Sequence, residues 1–87
     1  MNSFCSSKFW DCYNGLSEQI RDEAKESYVL WCKDSTAKSL YFKPVPNKAG
    51  WWSVRATKSH RAVGIKDGED IVWFFIGNHD DYMRLIG

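Results

Sequence analysis

Between Lys38 and Lys66 the sequence has no aspartate or glutamate, although it carries eleven acids elsewhere. No run approaches the roughly 20 apolar residues that a membrane span requires. Met1-Asn2-Ser3-Phe4-Cys5 has neither the basic nor the apolar region of a secretion leader. A cytoplasmic protein with no membrane contact is the expectation. Cysteines number three, Cys5, Cys12 and Cys32, an odd set that follows no CxxC or mixed Cys/His zinc spacing. Reduced thiols are therefore expected, without a disulfide framework, a metal or a cofactor. Also missing are a P-loop, a GxGxxG turn, a Ser/His/Asp triad and a zinc ribbon, which removes the nucleotide-cradling and serine-hydrolase classes.

What the chain does have is apolar material: 44% hydrophobic and 16% aromatic residues over 87 positions. That is enough for one unstapled core and too little for two, so residues 1–87 read as a single domain. The net charge of +1 hides a segregation. Residues 38–66 hold seven cations, Lys38, Lys43, Lys48, Arg55, Lys58, Arg61 and Lys66, while acids outnumber bases on either side. A basic stretch without acids is a candidate phosphate-binding surface, because each neutralised phosphate releases condensed counterions. The alternative is a solvated sheet edge, where lysines prevent strand-to-strand aggregation.

Helical spacing opens the chain, with Phe9, Trp10 and Tyr13 sharing a stripe from Lys8 to Asn14 and Gly15 ending it. A second helix starts at an N-cap, Ser17, and sets Ile20, Ala24, Tyr28 and Trp31 on one face. The short link at Gly15 predicts an antiparallel helical hairpin. The period then changes. Leu40 to Lys43 reads as a short strand stopped by Pro44. Trp52, Val54 and Ala56 alternate with polar residues, His60 to Lys66 follows as a strand, and Asp67-Gly68 marks a two-residue turn. Ile71 to Ile76 is apolar on both faces, as in an interior strand. Asn78 can cap a last short helix with Tyr82, Leu85 and Ile86 on one side. The expected class is α+β: an N-terminal helical hairpin on a four-stranded antiparallel sheet, then a short C-terminal helix.

Six polar residues stand out: Lys43, Arg55, His60, Arg61, His79 and Tyr82. A three-residue loop in the hairpin between Trp52 and Lys66 would set Arg61 opposite Thr57. Both arginines would then share the open face, with Trp52, Val54 and Ala56 turned to the helices. Two converging guanidinium groups suit a phosphate. Taken singly, each is also an ordinary sheet-surface arginine or a salt-bridge partner. His79 follows the central strand, and an imidazole there can move protons near neutral pH. Asn78-His79-Asp80-Asp81 also raises a metal site, against which adjacent residues seldom point at one ion. Trp51-Trp52 offers either a base-stacking platform or core.

Trp52-Ser53-Val54-Arg55, His60-Arg61-Ala62-Val63-Gly64 and Ile76-Gly77-Asn78-His79-Asp80-Asp81-Tyr82 together resemble the RelE/ParE superfamily of toxins from bacterial type II toxin-antitoxin pairs. The resemblance extends over nearly the whole chain. It implies a toxin whose ribonuclease branch cuts mRNA on the ribosome without a metal, by attack of a 2′-hydroxyl on the adjacent phosphate. Carried over by position, Arg61 would stabilise the phosphorane, Arg55 would assist it, His79 would be the general acid or base, and Tyr82 a relay or stacking group. Lys43, Lys58, His60 and Trp51 would contact RNA or phosphate. Where the family's nucleases often carry a second basic residue, this chain has Ser53. The resemblance also implies an acidic cognate antitoxin. The ParE branch, similar in architecture, poisons DNA gyrase instead, and a binding module with a silent basic face is the reading from another class.

Overall fold

The computed structural model describes residues 1–87. Its elements are β1 (Asn2–Cys5), α1 (Ser7–Asn14), α2 (Glu18–Lys33), a 3₁₀ turn (Lys38–Leu40), β2 (Lys43–Pro44), β3 (Trp51–Arg55), β4 (His60–Asp67), β5 (Asp70–Asn78) and α3 (His79–Ile86). The class is α+β, as expected, but the sheet has five strands in the order β1-β5-β4-β3-β2. It is mixed rather than antiparallel, because β1 runs parallel to β5, with Asn2 opposite Asp70 and Cys5 opposite Trp73. Nothing in Asn2-Ser3-Phe4-Cys5 marks a strand. It becomes one only because β5 needs a second neighbour for its backbone groups.

Helix starts follow the capping chemistry. Ser6 Oγ accepts from the Phe9 N–H at 3.2 Å, Ser17 Oγ from Ile20 at 3.3 Å, and Asn78 Oδ1 from Asp81 at 2.9 Å. The two N-terminal helices are joined near the turn, where the Arg21 guanidinium donates to the Leu16 carbonyl at 2.6 Å. They do not close on each other as the predicted hairpin would. An apolar cleft of about 520 Å³ separates them above the sheet, lined by Phe9, Trp10, Tyr28 and Trp31 among others. Tyr28 is accordingly exposed, although Ala24 and Trp31 of the same stripe are buried.

Trp31, Phe42, Trp52 and Trp73 form the aromatic centre of the core, with Trp31 and Trp73 edge to face at 5.5 Å. Val54, Ala56, Ala62, Ile71 and Ile76 complete its sheet side. Trp73 Nε1 donates to Ser3 Oγ at 3.0 Å, so β1 satisfies the one polar atom of this buried ring. No helix is long and apolar enough to cross a membrane.

Three local expectations are corrected. The predicted strand Leu40 to Lys43 is instead a 3₁₀ turn ending at Leu40, a left-handed residue at Tyr41, and a two-residue strand that includes Pro44. Pro44 is tolerated because β2 is an edge strand whose N–H is not needed for pairing. The β4–β5 turn is Gly68-Glu69, since Asp67 already pairs with Asp70. In the β3–β4 hairpin, Arg61 lies opposite Arg55 rather than Thr57. Ala56 and Thr57 both donate to the His60 carbonyl, at 3.0 and 3.2 Å, which is a bulge that absorbs one residue. The two-residue loop Lys58-Ser59 plus this bulge still leaves both arginines on one face.

Candidate phosphate-binding site

Strand alternation divides the sheet into a face under α1 and α2 and an open face partly covered by α3. Ser53 and Arg55 of β3, Arg61 and Val63 of β4, and Lys43 of β2 fall on the open face by their cross-strand register. Ser53 and Val63 form its floor and are fully buried. The arginines stand directly opposite each other at one end, where like charges ordinarily destabilise a sheet.

Arg61 is held at three points. Its Nη2 donates to Ser53 Oγ at 3.1 Å and to the Tyr41 carbonyl at 3.3 Å, and its guanidinium carbon lies 5.5 Å from the centre of the Tyr82 ring. Tyr82 itself is buried against the sheet, the position α3 gives it through the Asn78 cap. Arg55 is less constrained, its guanidinium carbon 5.8 Å from the Tyr41 ring centre. Neither arginine makes a salt bridge; the one ion pair of the chain joins Arg84 to Asp81. Two arginines paired across the strands, each guanidinium near a tyrosine ring and neither in a salt bridge, leave N–H donors for an anion.

The other expected residues fall at varying distances from this pair. Lys43 is exposed opposite Ser53, one side-chain row from the arginines or roughly 7 Å along the strand. Lys58 is exposed at the hairpin tip. With Arg55 it lines a polar groove of about 360 Å³ facing Glu23 and Glu26 of α2. His60 is tied into the turn, its Nδ1 at 3.1 Å from Thr57 Oγ1 and 2.9 Å from Ser59 Oγ. Trp51 lies at the opposite end of β3 from Arg55, its ring 5.0 Å from Phe74 and under the Lys48 ammonium at 5.3 Å.

His79 opens α3 and is exposed, one residue beyond Asn78, which pairs with His60. No hydrogen bond joins it to either arginine. Asn78 and Asp81 serve the start of α3, one as cap and the other as partner of Arg84. Sequence reasoning missed Tyr41 and Ser53 as the groups that fix Arg61. Ser53 lies two residues before Arg55 and so on its face, a signal the alternation carried; the left-handed Tyr41 had none.

With this geometry in view, the chain can be set beside known structures. It aligns over 97% of its length, and 99% of the other chain, with the RelB-RelE antitoxin-toxin complex from Methanococcus jannaschii, at a TM-score of 0.74 and 13% identity. The fold is that of the RelE/ParE toxins. The RelBE2 toxin-antitoxin complex from Mycobacterium tuberculosis gives a TM-score of 0.71 at 16% identity, covering 90% of this chain and 96% of the other. A YoeB/ParE toxin from Agrobacterium tumefaciens gives 0.67 at 20%, covering 91% and 99%. No family model and no curated relative matches the sequence. The RelE/ParE likeness thus resides in the backbone, on which Arg55, Arg61 and Tyr82 are set by strand pairing and by the cap of α3.

Proposed function

We propose that this chain is the toxin of a type II toxin-antitoxin pair and acts as a metal-independent, ribosome-dependent mRNA endoribonuclease. The observation that carries the reading is the Arg55–Arg61 cross-strand pair, two cations held opposite each other with neither in a salt bridge. A fold that keeps such a pair breaks a local stability rule, which is the mark of a site made for a ligand.

In the proposed reaction a ribose 2′-hydroxyl attacks the adjacent phosphorus. The P–O5′ bond breaks, leaving a 2′,3′-cyclic phosphate on one fragment and a 5′-hydroxyl on the other. Arg61, pre-oriented by Ser53 and Tyr41, would stabilise charge on the phosphorane oxygens without reorganising, usually the largest single contribution in such a site. Arg55 would hold the second oxygen, and Lys43 the neighbouring phosphate. His79 would take the 2′-hydroxyl proton or return one to the 5′-oxygen, an effect typically of about 10²- to 10⁴-fold. Tyr82 would act through its ring on Arg61. The solved neighbours include complexes of RelE-type toxins with antitoxins. A cognate antitoxin of acidic composition is the corresponding partner here, competing for the same arginines.

A second reading draws on one observation: His79 is exposed and makes no hydrogen bond to Arg61. It favours a module that docks an acidic partner or inhibits gyrase without cutting RNA. Translating a defined mRNA in a cell-free mixture and mapping its ends separates the two. Ribosome-dependent cuts lost in Arg61→Ala and His79→Ala support the nuclease. Intact mRNA with unimpaired translation sinks it and directs attention to supercoiling assays.

A further inference from the structure

Tyr41 links two residues packed in the core, Leu40 and Phe42, while its own side chain stays in solvent. It adopts φ 47° and ψ 44°, a left-handed conformation that β-carbon sterics disfavour in every residue except glycine. The preceding Leu40 is 2% exposed, whereas Tyr41 is 55% exposed. Its unusual backbone therefore buries nothing of its own. What that backbone does is aim the Tyr41 carbonyl at Arg61 Nη2, 3.3 Å away, while the ring lies beside Arg55 with 5.8 Å between centroid and guanidinium carbon. One residue thus touches both arginines, through its main chain and through its side chain.

We propose that Tyr41 is a nucleobase-stacking residue: a single-stranded RNA whose phosphate bridges Arg55 and Arg61 lays an adjacent base on the exposed Tyr41 ring. This rests on the reading of the arginine pair as a phosphate site. An acidic protein segment would be served by the guanidinium groups alone and gains nothing from an open aromatic face. A base gains a stacking partner already fixed next to its own phosphate, and stacking accepts any base because each has a π-face. The neighbouring cation strengthens the platform. Tyr41 would then set how a nucleotide sits relative to the scissile bond, independently of the proton-transfer groups.

The test is fluorescence-anisotropy binding of the full chain, at low ionic strength, to a short single-stranded RNA and to an abasic strand of equal length and charge. Tyr41→Ala is expected to weaken RNA binding roughly tenfold or more, and abasic binding less than about twofold. Tyr41→Phe should retain RNA binding. Tyr41→Gly, which suits the left-handed backbone and keeps the carbonyl, should match Tyr41→Ala. Equal losses on both strands, or none on either, overturn the stacking assignment alone. A Phe variant as weak as the Ala variant replaces stacking by a hydroxyl contact and overturns it too. A wild-type chain that binds neither strand overturns the phosphate-site reading, and the Tyr41 assignment with it.

Discussion

Ser53 is fully buried on the open face, and its hydroxyl accepts a hydrogen bond from Arg61. A lysine there would sit fully buried beside a guanidinium, so serine trades a second charge for a fixed orientation of the first. Ser53→Ala removes an acceptor from a charged donor and is expected to cost about 1 kcal/mol in urea denaturation. Under the proposed nuclease reading, Ser53→Ala should lower kcat while changing KM little, because Arg55 would remain to hold the phosphate. A kcat equal to wild type would show that the Tyr41 carbonyl alone orients Arg61. Asp34, just after α2, has its carboxyl held below the usual range by the Thr36 hydroxyl and N–H, at 2.6 and 3.0 Å. A depressed folded-state pKa stabilises fully above the unfolded value near 3.8, and that stabilisation disappears as pH falls through the lower folded value. The wild-type urea midpoint should therefore exceed that of Asp34→Ala above about pH 4 and converge toward it in stronger acid.

At the scale of elements, β4 and β5 meet at a narrow point. A β-carbon on Gly64 would lie 2.9 Å from Ile71 Cγ1 and 3.0 Å from both Trp73 Cε3 and the Val72 carbonyl oxygen. Gly64→Ala should destabilise by about 1–3 kcal/mol through overpacking, read as a lowered thermal midpoint with the fold retained. A midpoint at or above wild type would mean that β5 shifts freely. The same region shows what the sequence made legible. Ile71 to Ile76 announced an interior strand by its unbroken apolar run, and Ser17 and Asn78 announced helix starts by chemistry that acts within three residues. The bulge at Ala56-Thr57, the extra residue Phe74 where Val63 pairs with Phe75 and Gly64 with Trp73, and the strand Asn2–Cys5 did not announce themselves. Each is decided by which distant backbone groups need partners, which no local pattern encodes. For the candidate site, the shared face of Arg55 and Arg61 was legible from alternation, while the left-handed Tyr41 arises from how the 3₁₀ turn enters β2.

For the whole molecule, the charge blocks read along the chain meet in space at the hairpin tip, where Arg55 and Lys58 share a groove with Glu23 and Glu26. Beyond that groove the open face carries Lys43, Arg55 and Arg61, none of them in a salt bridge. A strand neutralised by these three cations should show log K falling with log salt at a slope of roughly −2, and Lys43→Ala should make it shallower by about 0.7. A slope near zero, measured by titrating RNA binding from low to moderate salt, would show that the face does not take phosphates despite its composition.

Because β5 lies between β1 and β4, β1 has no partner until β5 has been made. Asn2 finds its partner only at Asp70, so closing that edge brings together residues far apart in sequence. Until then α1 lacks the strand it packs on, and Trp73, the ring at the centre of the core, has not been synthesised. Local helices and the β3–β4 hairpin can form on the growing chain, but the cooperative structure waits for β5, a high-contact-order arrangement that slows folding. A molecule proposed to halt protein synthesis thus stays structurally incomplete until its own β5 has been made.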